Sequence, residues 1–203
     1  MNPVNTKIET QKLNHPAKGS QIKVEPIKDL KAIRTIKKIL QDKKMDLALF
    51  TIGINTNLRA SDLREIKVKQ VRLLVAGESF TIKEKKTKKN RNIFLNNSCI
   101  DAIKSLLGSK KYDDNDFLFT GQRGAWSVSY INLKVKSWCK EINIKGNFGS
   151  HTLRKTFGYH QRVTFKEDLP VLMKCFNHSS QKQTLDYLCI DEKEIKNVFM
   201  NEL

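Results

Sequence analysis

In the segment His151-Thr152-Leu153-Arg154 an imidazole and a guanidinium stand three residues apart, so on a helix they share one face. Ser150 lies just ahead of them, which places both side chains in a first helical turn. There, unpaired backbone N–H groups and the helix dipole already favour an anion. Taken alone, the pair is also what the solvated face of any basic helix looks like. Two further groups follow. Asn177-His178-Ser179-Ser180 precedes Thr184-Leu185-Asp186-Tyr187, and nine residues separate His178 from Tyr187. Singly, this His reads as a satisfied helix-end residue and this Tyr as half-buried core. Upstream, Arg59 lies in Asn57-Leu58-Arg59-Ala60-Ser61-Asp62, with Asp62 three residues on as an ordinary helix-surface partner. Between these groups runs the basic stretch Lys85-Lys86-Thr87-Lys88-Lys89-Asn90-Arg91.

The charge balance points the same way. Lys and Arg number 38 against 21 Asp and Glu, a formal net charge of +17. Such an excess favours a polyanionic partner, because each phosphate that is neutralised releases condensed counterions. A membrane surface is the poorer partner, since no strongly basic amphipathic helix with a Trp or Phe face is evident. With 39% hydrophobic and 29% charged residues the chain has a globular composition, and 203 residues suffice for one domain with a short appendage. No apolar run reaches bilayer length and no signal-peptide stretch opens the chain, so a cytoplasmic, nucleoid-associated protein is expected. Cys99, Cys139, Cys175 and Cys189 lack CxxC spacing and zinc-ligand intervals, and read as reduced thiols. Neither a carboxylate cluster nor a P-loop is present, which agrees with a chemistry for which no metal and no cofactor is expected.

The elements that must position these residues are mostly helical. Residues 1–24 are polar and aperiodic and read as a flexible arm, leaving 25–203 as the folded domain. From Pro26 a helix is predicted through Ile27, Leu30, Ile33, Ile36 and Leu40. An almost wholly apolar helix follows over Asp46 to Ile54 and ends at Asn55-Thr56-Asn57, after which a short helix carries Arg59, Leu63 and Ile66. Phe80 and Ile82, then Ile93 and Leu95, alternate with polar neighbours and predict a β-hairpin with a basic tip. Ser98 is placed as the cap of a helix through Ile100, Ile103 and Leu106, stopped by Gly108. Val128, Ile131, Val135, Trp138 and Ile142 form an apolar stripe, and Leu169, Leu172, Met173 and Phe176 another. Asp191 with Glu194 reads as a capping box for a last helix bearing Ile195, Val198 and Phe199. The fold class is mainly α with a small antiparallel β-sheet (α+β).

Taken together, the pieces resemble the catalytic domain of the tyrosine recombinases, the phage integrase family. That family carries an Arg in a GLRxSE/DL-like segment, a Lys in a β-hairpin, an HxxR, a His or Trp within LGHSS, and a Tyr nine residues later. Here the matching residues are Arg59, Lys86, His151 with Arg154, His178, and Tyr187, in the same order, with 24 residues from Arg154 to His178. Lys85, Lys88 and Lys89 compete with Lys86 for the hairpin position. Two departures concern glycine: Asn57 and Asn177 stand where the family usually has Gly, and Asn is among the few residues that tolerate left-handed backbone. A third is that the 25 residues ahead of the domain leave no room for the family's N-terminal core-binding domain.

The resemblance implies a mechanism. Tyr187 would attack a DNA phosphorus, forming a 3′-phosphotyrosyl link and releasing a 5′-hydroxyl. Arg59 and Arg154 would hold the non-bridging oxygens and Lys86 would protonate the leaving oxygen. His151 would manage the tyrosine proton, His178 would donate to the phosphate, and Asp62 would orient Arg59. The implied partners are double-stranded DNA and further copies of the chain, a tetramer on DNA joined through the C-terminal helix, with room for accessory DNA-bending proteins. Such a protein would serve recombination or the movement of a mobile element. Two other readings stand beside it: a type IB topoisomerase-like enzyme, and a non-catalytic DNA-binding regulator with the same fold.

Overall fold

The helix Lys44–Asn55 (α2) is apolar on nearly every side, and the chain is arranged around it. The computed structural model describes residues 24–83, 89–122, 124–178, 180–190 and 192–202. Ala48, Leu49, Phe50 and Ile52 of α2 are all buried. Packed about it are Leu30–Ile39 (α1), Asn97–Leu107 (α5) and Ser150–Val163 (α7), the last also meeting Val128–Glu141 (α6). Each large apolar side chain so buried contributes about 1.5–3 kcal/mol relative to exposure. Short helices Ala60–Leu63 (α3) and Val68–Val71 (α4) follow α2 and lead into the strands Ser79–Lys83 (β1) and Asn90–Phe94 (β2). β1 and β2 pair antiparallel with Phe80 opposite Ile93 and Ile82 opposite Arg91. A second, two-residue ladder joins Thr120–Gly121 (β3) to Gly124–Ala125 (β4). The mainly helical fold with small antiparallel sheets is the one read from the sequence.

A smaller apolar cluster stands apart from this core. Leu169–Phe176 (α8) and Gln181–Leu188 (α9) bury Leu172, Phe176 and Leu188, with Phe157 of α7, Leu169 and Tyr187 packed against them. A last helix, Glu192–Phe199 (α10), closes the described chain. Among the described residues no helix is long and apolar enough to cross a membrane. The four cysteines form no disulfide, and burial pushes the Cys99 and Cys139 thiols up to about 12, keeping them protonated.

Several boundaries differ from the sequence reading. α1 begins at Leu30, because the Asp29 carboxylate accepts from Lys31 N (2.8 Å) as N-cap. The preceding residues run extended instead. Ile27 is buried, its N–H donates to Thr156 Oγ1 (2.9 Å) and its carbonyl meets His160 Nε2 (2.9 Å), so α7 side chains supply the partners a helix would have given. Asn96, not Ser98, caps α5, its side chain accepting from Cys99 N at 3.0 Å. Ser150 is the first residue of α7 rather than the one before it. Lys85, Lys86, Thr87 and Lys88 of the expected hairpin tip and the capping residue Asp191 lie outside the described residues, whereas Asn90 and Arg91 belong to β2.

Gly158 is what lets α7 and α8 close on each other. A Cβ at this position would stand 2.7 Å from Phe176 Cζ, and the Phe176 ring is fully buried. Gly158→Ala must push that ring aside, and overpacking of this kind costs about 1–3 kcal/mol. Urea denaturation should therefore show a lower midpoint with an unchanged slope; an unaltered midpoint would mean that the two helices have slack between them.

Candidate active site

Arg154, the fifth residue of α7, opens its second turn, is 1% exposed, and faces the ends of two other helices. Its Nη1 donates to the carbonyl of Asn57 (2.5 Å) and its Nη2 to that of Phe176 (3.0 Å). Asn57 lies just past the α2 C-cap Thr56, and Phe176 is the last residue of α8, so the second acceptor is a terminal helix carbonyl and the first directly follows a helix C-terminus. Burying a guanidinium costs several kcal/mol unless hydrogen bonds replace its hydration. Two such carbonyls, each at the negative end of a helix dipole, meet that need and fix the guanidinium plane. The ring of Phe176 lies below it, 4.9 Å from Cζ.

Both helices reach Arg154 through left-handed asparagines. Asn57 has φ 56°, and Asn177, the C-cap of α8, has φ 54° and ψ 43°. The expectation that asparagine can replace the family's glycine at both turns is borne out by these angles. Asn57 adds a contact that glycine lacks, since its Nδ2 donates to Cys175 O at 2.7 Å and ties the end of α2 to α8.

Around Phe176 the other predicted residues assemble. The phenol of Tyr187, half-buried on α9, stands 3.4 Å from His151 Nδ1 at the exposed start of α7. Its ring lies 5.4 Å from the centroids of Phe176 and His178 and 5.4 Å from Arg154 Cζ. His178 stacks on Phe176 (5.1 Å, 28°) and its Nδ1 meets Thr184 Oγ1 at 3.1 Å, which settles the ring's orientation. Arg59 is the N-cap of α3, two residues beyond the Asn57 turn, with Nη1 3.8 Å from Asp62 Oδ2. The pair is at the long end of ion-pair range, but Asp62 is buried and the contact correspondingly less screened. His151, Arg154, His178 and Tyr187 are thus in one cluster and Arg59 beside its entrance turn, whereas Lys86 lies outside the described residues. Such a set can bind a tetrahedral anion by guanidinium donors, move a proton between phenol and imidazole, and present an oxygen nucleophile. Among the described residues no group of three His, Cys, Asp or Glu could hold a metal ion.

Three neighbours escape a motif-based reading. Phe176 is the platform on which Arg154, His178 and Tyr187 all rest, though its sequence signal is that of a core residue. Lys155, buried next to Arg154, places its ammonium 6.0 Å from the Tyr187 ring centroid. Arg91 of β2 donates to Thr56 O (3.2 Å) and Asn57 O (3.4 Å). Its signal was parity: two residues before the buried Ile93, it points to the same side of the strand.

The Asn57 turn yields an ordered pair of substitutions. Asn57→Gly keeps the left-handed backbone and both carbonyl bonds and loses the amide contact with Cys175, at about 0.5–1.5 kcal/mol. Asn57→Ala loses that contact and also pays about 1–2 kcal/mol for a Cβ in the left-handed region. Thermal melting should rank wild type above Asn57→Gly and that above Asn57→Ala; equal melting of the two variants would remove the conformational argument.

The arrangement has close relatives. A model of the phage integrase family matches residues 26–194. The chain is 36% identical over 174 residues to the probable integrase/recombinase YoeC of Bacillus subtilis (strain 168), across 83% of this chain and 91% of that protein. It is 30% identical over 162 residues to the tyrosine recombinase XerC of Caldanaerobacter subterraneus subsp. tengcongensis, across 76% of this chain and 44% of that one. Among solved structures, the XerA recombinase superposes with a TM-score of 0.72 at 19% identity, over 92% of this chain and 66% of that chain. The XerH site-specific recombinase bound to palindromic difH superposes with a TM-score of 0.70 at 22% identity, over 83% of this chain and 49% of that chain. At those identities the superpositions show a shared fold. This chain spans most of the length of YoeC, less than half of XerC and under two thirds of XerA. Family match, relatives and fold agree: the chain belongs to the phage integrase family, the tyrosine recombinases.

Proposed function

We propose that residues 25–203 form the catalytic domain of a site-specific DNA recombinase or integrase that works through a 3′-phosphotyrosyl intermediate at Tyr187. The observation that carries this reading is the approach of Tyr187 Oη to His151 Nδ1 (3.4 Å) beside the buried guanidinium of Arg154. In the proposed step Tyr187 Oη attacks the scissile phosphorus and passes its proton to His151. Arg59 and Arg154 neutralise the non-bridging oxygens as charge grows on them, with His178 donating a further hydrogen bond. Lys86 gives a proton to the departing 5′-oxygen. One P–O bond is exchanged for another of similar energy, so the reverse attack by a 5′-hydroxyl rejoins the strand without an energy source. Double-stranded DNA is the proposed partner, consistent with the net charge of +17. A purely DNA-binding regulator has no use for a phenol held against an imidazole and an arginine. A topoisomerase-like activity would differ in relaxing supercoils at a single site.

A nicked suicide substrate tests the reading directly. Wild type should trap a covalent protein–DNA adduct that Tyr187→Phe cannot form. An undiminished adduct in the variant, or attachment at Tyr159, would reject Tyr187 as the nucleophile.

The C-terminal helix supports a proposal about assembly. Ile195, Val198 and Phe199 are 51%, 66% and 78% exposed, so their apolar stripe is not folded back on the chain's own core. An ion pair, Arg162 Nη1 to Glu194 Oε2 at 2.6 Å, holds the start of α10. We infer that this stripe is buried on a neighbouring protomer, giving a heterologous contact that closes into a tetramer on DNA. Deleting residues 192–203 should leave single-site binding nearly intact in native gel shifts and abolish the pairing of two sites. Pairing that persists in the deletion would refute the exchange.

A further inference from the structure

Arg91 shares an acceptor with Arg154. The Asn57 carbonyl takes one bond from Arg154 Nη1 and a second from Arg91 Nη2, which also bonds Thr56 O. A carbonyl oxygen has two lone pairs, so both guanidiniums can be served at once. The two arrive from different parts of the chain, Arg154 from α7 and Arg91 from β2 of the hairpin. Thr56 is the C-cap of α2 and Asn57 the residue after it, at the end of the helix where the dipole is negative. Both bonds come from Nη2, whose two N–H groups lie in the rigid guanidinium plane and so serve two successive carbonyls; an ammonium does not hold its donors with the same rigidity. Asn57 holds a positive φ and has its side chain engaged with Cys175 O. The turn is therefore held from three sides, and Arg91 supplies the side that faces the hairpin.

We infer that Arg91 is a positioning residue for phosphate recognition: it pins the Thr56–Asn57 carbonyl turn against which Arg154 is oriented and from which Arg59 follows two residues later. The inference rests on the proposed strand-cleavage function. Arg91 itself does not touch the phosphate. Without it, the Asn57 carbonyl can drift, the Arg154 guanidinium rotates with it, and the fork meets the non-bridging oxygens at a poorer angle. A displacement of about 1 Å at such a site is enough to slow a reaction by about 100-fold.

The test compares Arg91→Ala and Arg91→Lys with wild type and Arg154→Ala in single-turnover cleavage. Three oligonucleotide substrates are used: the ordinary phosphodiester, a neutral methylphosphonate at the scissile position, and a 5′-bridging thiolate. Arg91→Ala should slow cleavage of the phosphodiester by about 10- to 100-fold while DNA affinity and its salt dependence stay near wild type. On the methylphosphonate, which develops one less negative charge for guanidiniums to neutralise, the defect should shrink to within about threefold, as for Arg154→Ala. The thiolate, which relieves the need for a proton on the leaving group, should not rescue it. Combining Arg91→Ala with Arg154→Ala should add little to the latter, because one acts through the other. Arg91→Lys, which keeps the charge and loses the planar, fixed donors, should show a smaller defect with the same rescue pattern, and it carries the comparison if Arg91→Ala melts too low to assay. A wild-type rate in both variants overturns the inference. So does rescue by the thiolate, which would place Arg91 with the leaving group, or weaker binding with a shallower salt slope, which would make it a direct phosphate contact. If wild type forms no Tyr187 adduct, the cleavage function itself fails and this inference with it; an adduct in wild type with unaffected Arg91 variants rejects the positioning role alone.

Discussion

A guanidinium almost wholly removed from water is the constraint on which the rest of the arrangement depends. Arg154 can be buried at 1% exposure because two helices end at it and offer it carbonyls. That requirement dictates where α2 and α8 must stop, and stopping there demands a residue that tolerates left-handed backbone directly beyond each end. Asn57 and Asn177 meet it. The close approach of α7 to its neighbours follows from the same demand: Gly53 of α2 leaves room for Leu153 of α7, and Gly158 of α7 leaves room for Phe176 of α8.

Chemistry and packing share atoms at this site. Phe176 gives Arg154 a carbonyl and a ring face, gives His178 a stacking partner, and gives Tyr187 one wall. The cluster beneath Tyr187 contains few buried apolar residues compared with the core around α2, so α8 and α9 depend on α7 for much of their hold. Regions with little buried apolar area open at lower free energy than the main core. The Arg154 guanidinium bridges the two clusters, bonded to Asn57 O beyond the end of α2 and to Phe176 O at the end of α8. The Tyr187 side of the cluster thus has less buried apolar support than the α2 side.

The charge distribution follows the same division of labour. Arg154, Arg91 and Arg59 converge near the carbonyl end of α2, and Lys155 adds an ammonium near Tyr187. Concentrating cations without carboxylates of equal number would be unfavourable in an isolated domain, and helix-end dipoles relieve part of that repulsion. An incoming phosphate would relieve more. Asp46, by contrast, is a buried acid paired with Lys134 and the Trp138 indole on α6, well placed to secure α2 and remote from the chemistry.

The sequence by itself determined the helical fold class, four of the residues that cluster at the site (His151, Arg154, His178 and Tyr187), and that asparagine could take left-handed backbone at two turns. Those features are written in local spacing: three residues from His151 to Arg154, nine from His178 to Tyr187, and an apolar run too uniform for anything except a buried helix. Tertiary structure decided what local spacing cannot express. Ile27 has helical periodicity yet runs extended, because Thr156 and His160, some 130 residues away, satisfy its backbone. Phe176 reads as ordinary core until three functional side chains are seen to rest on it. Arg91 is one cation among seven residues of basic hairpin, and only the folded chain brings it to the carbonyl that Arg154 also holds. Hydrogen bonds to backbone carbonyls leave no mark on residue type at the acceptor, and that is why this part of the site could be seen only in three dimensions.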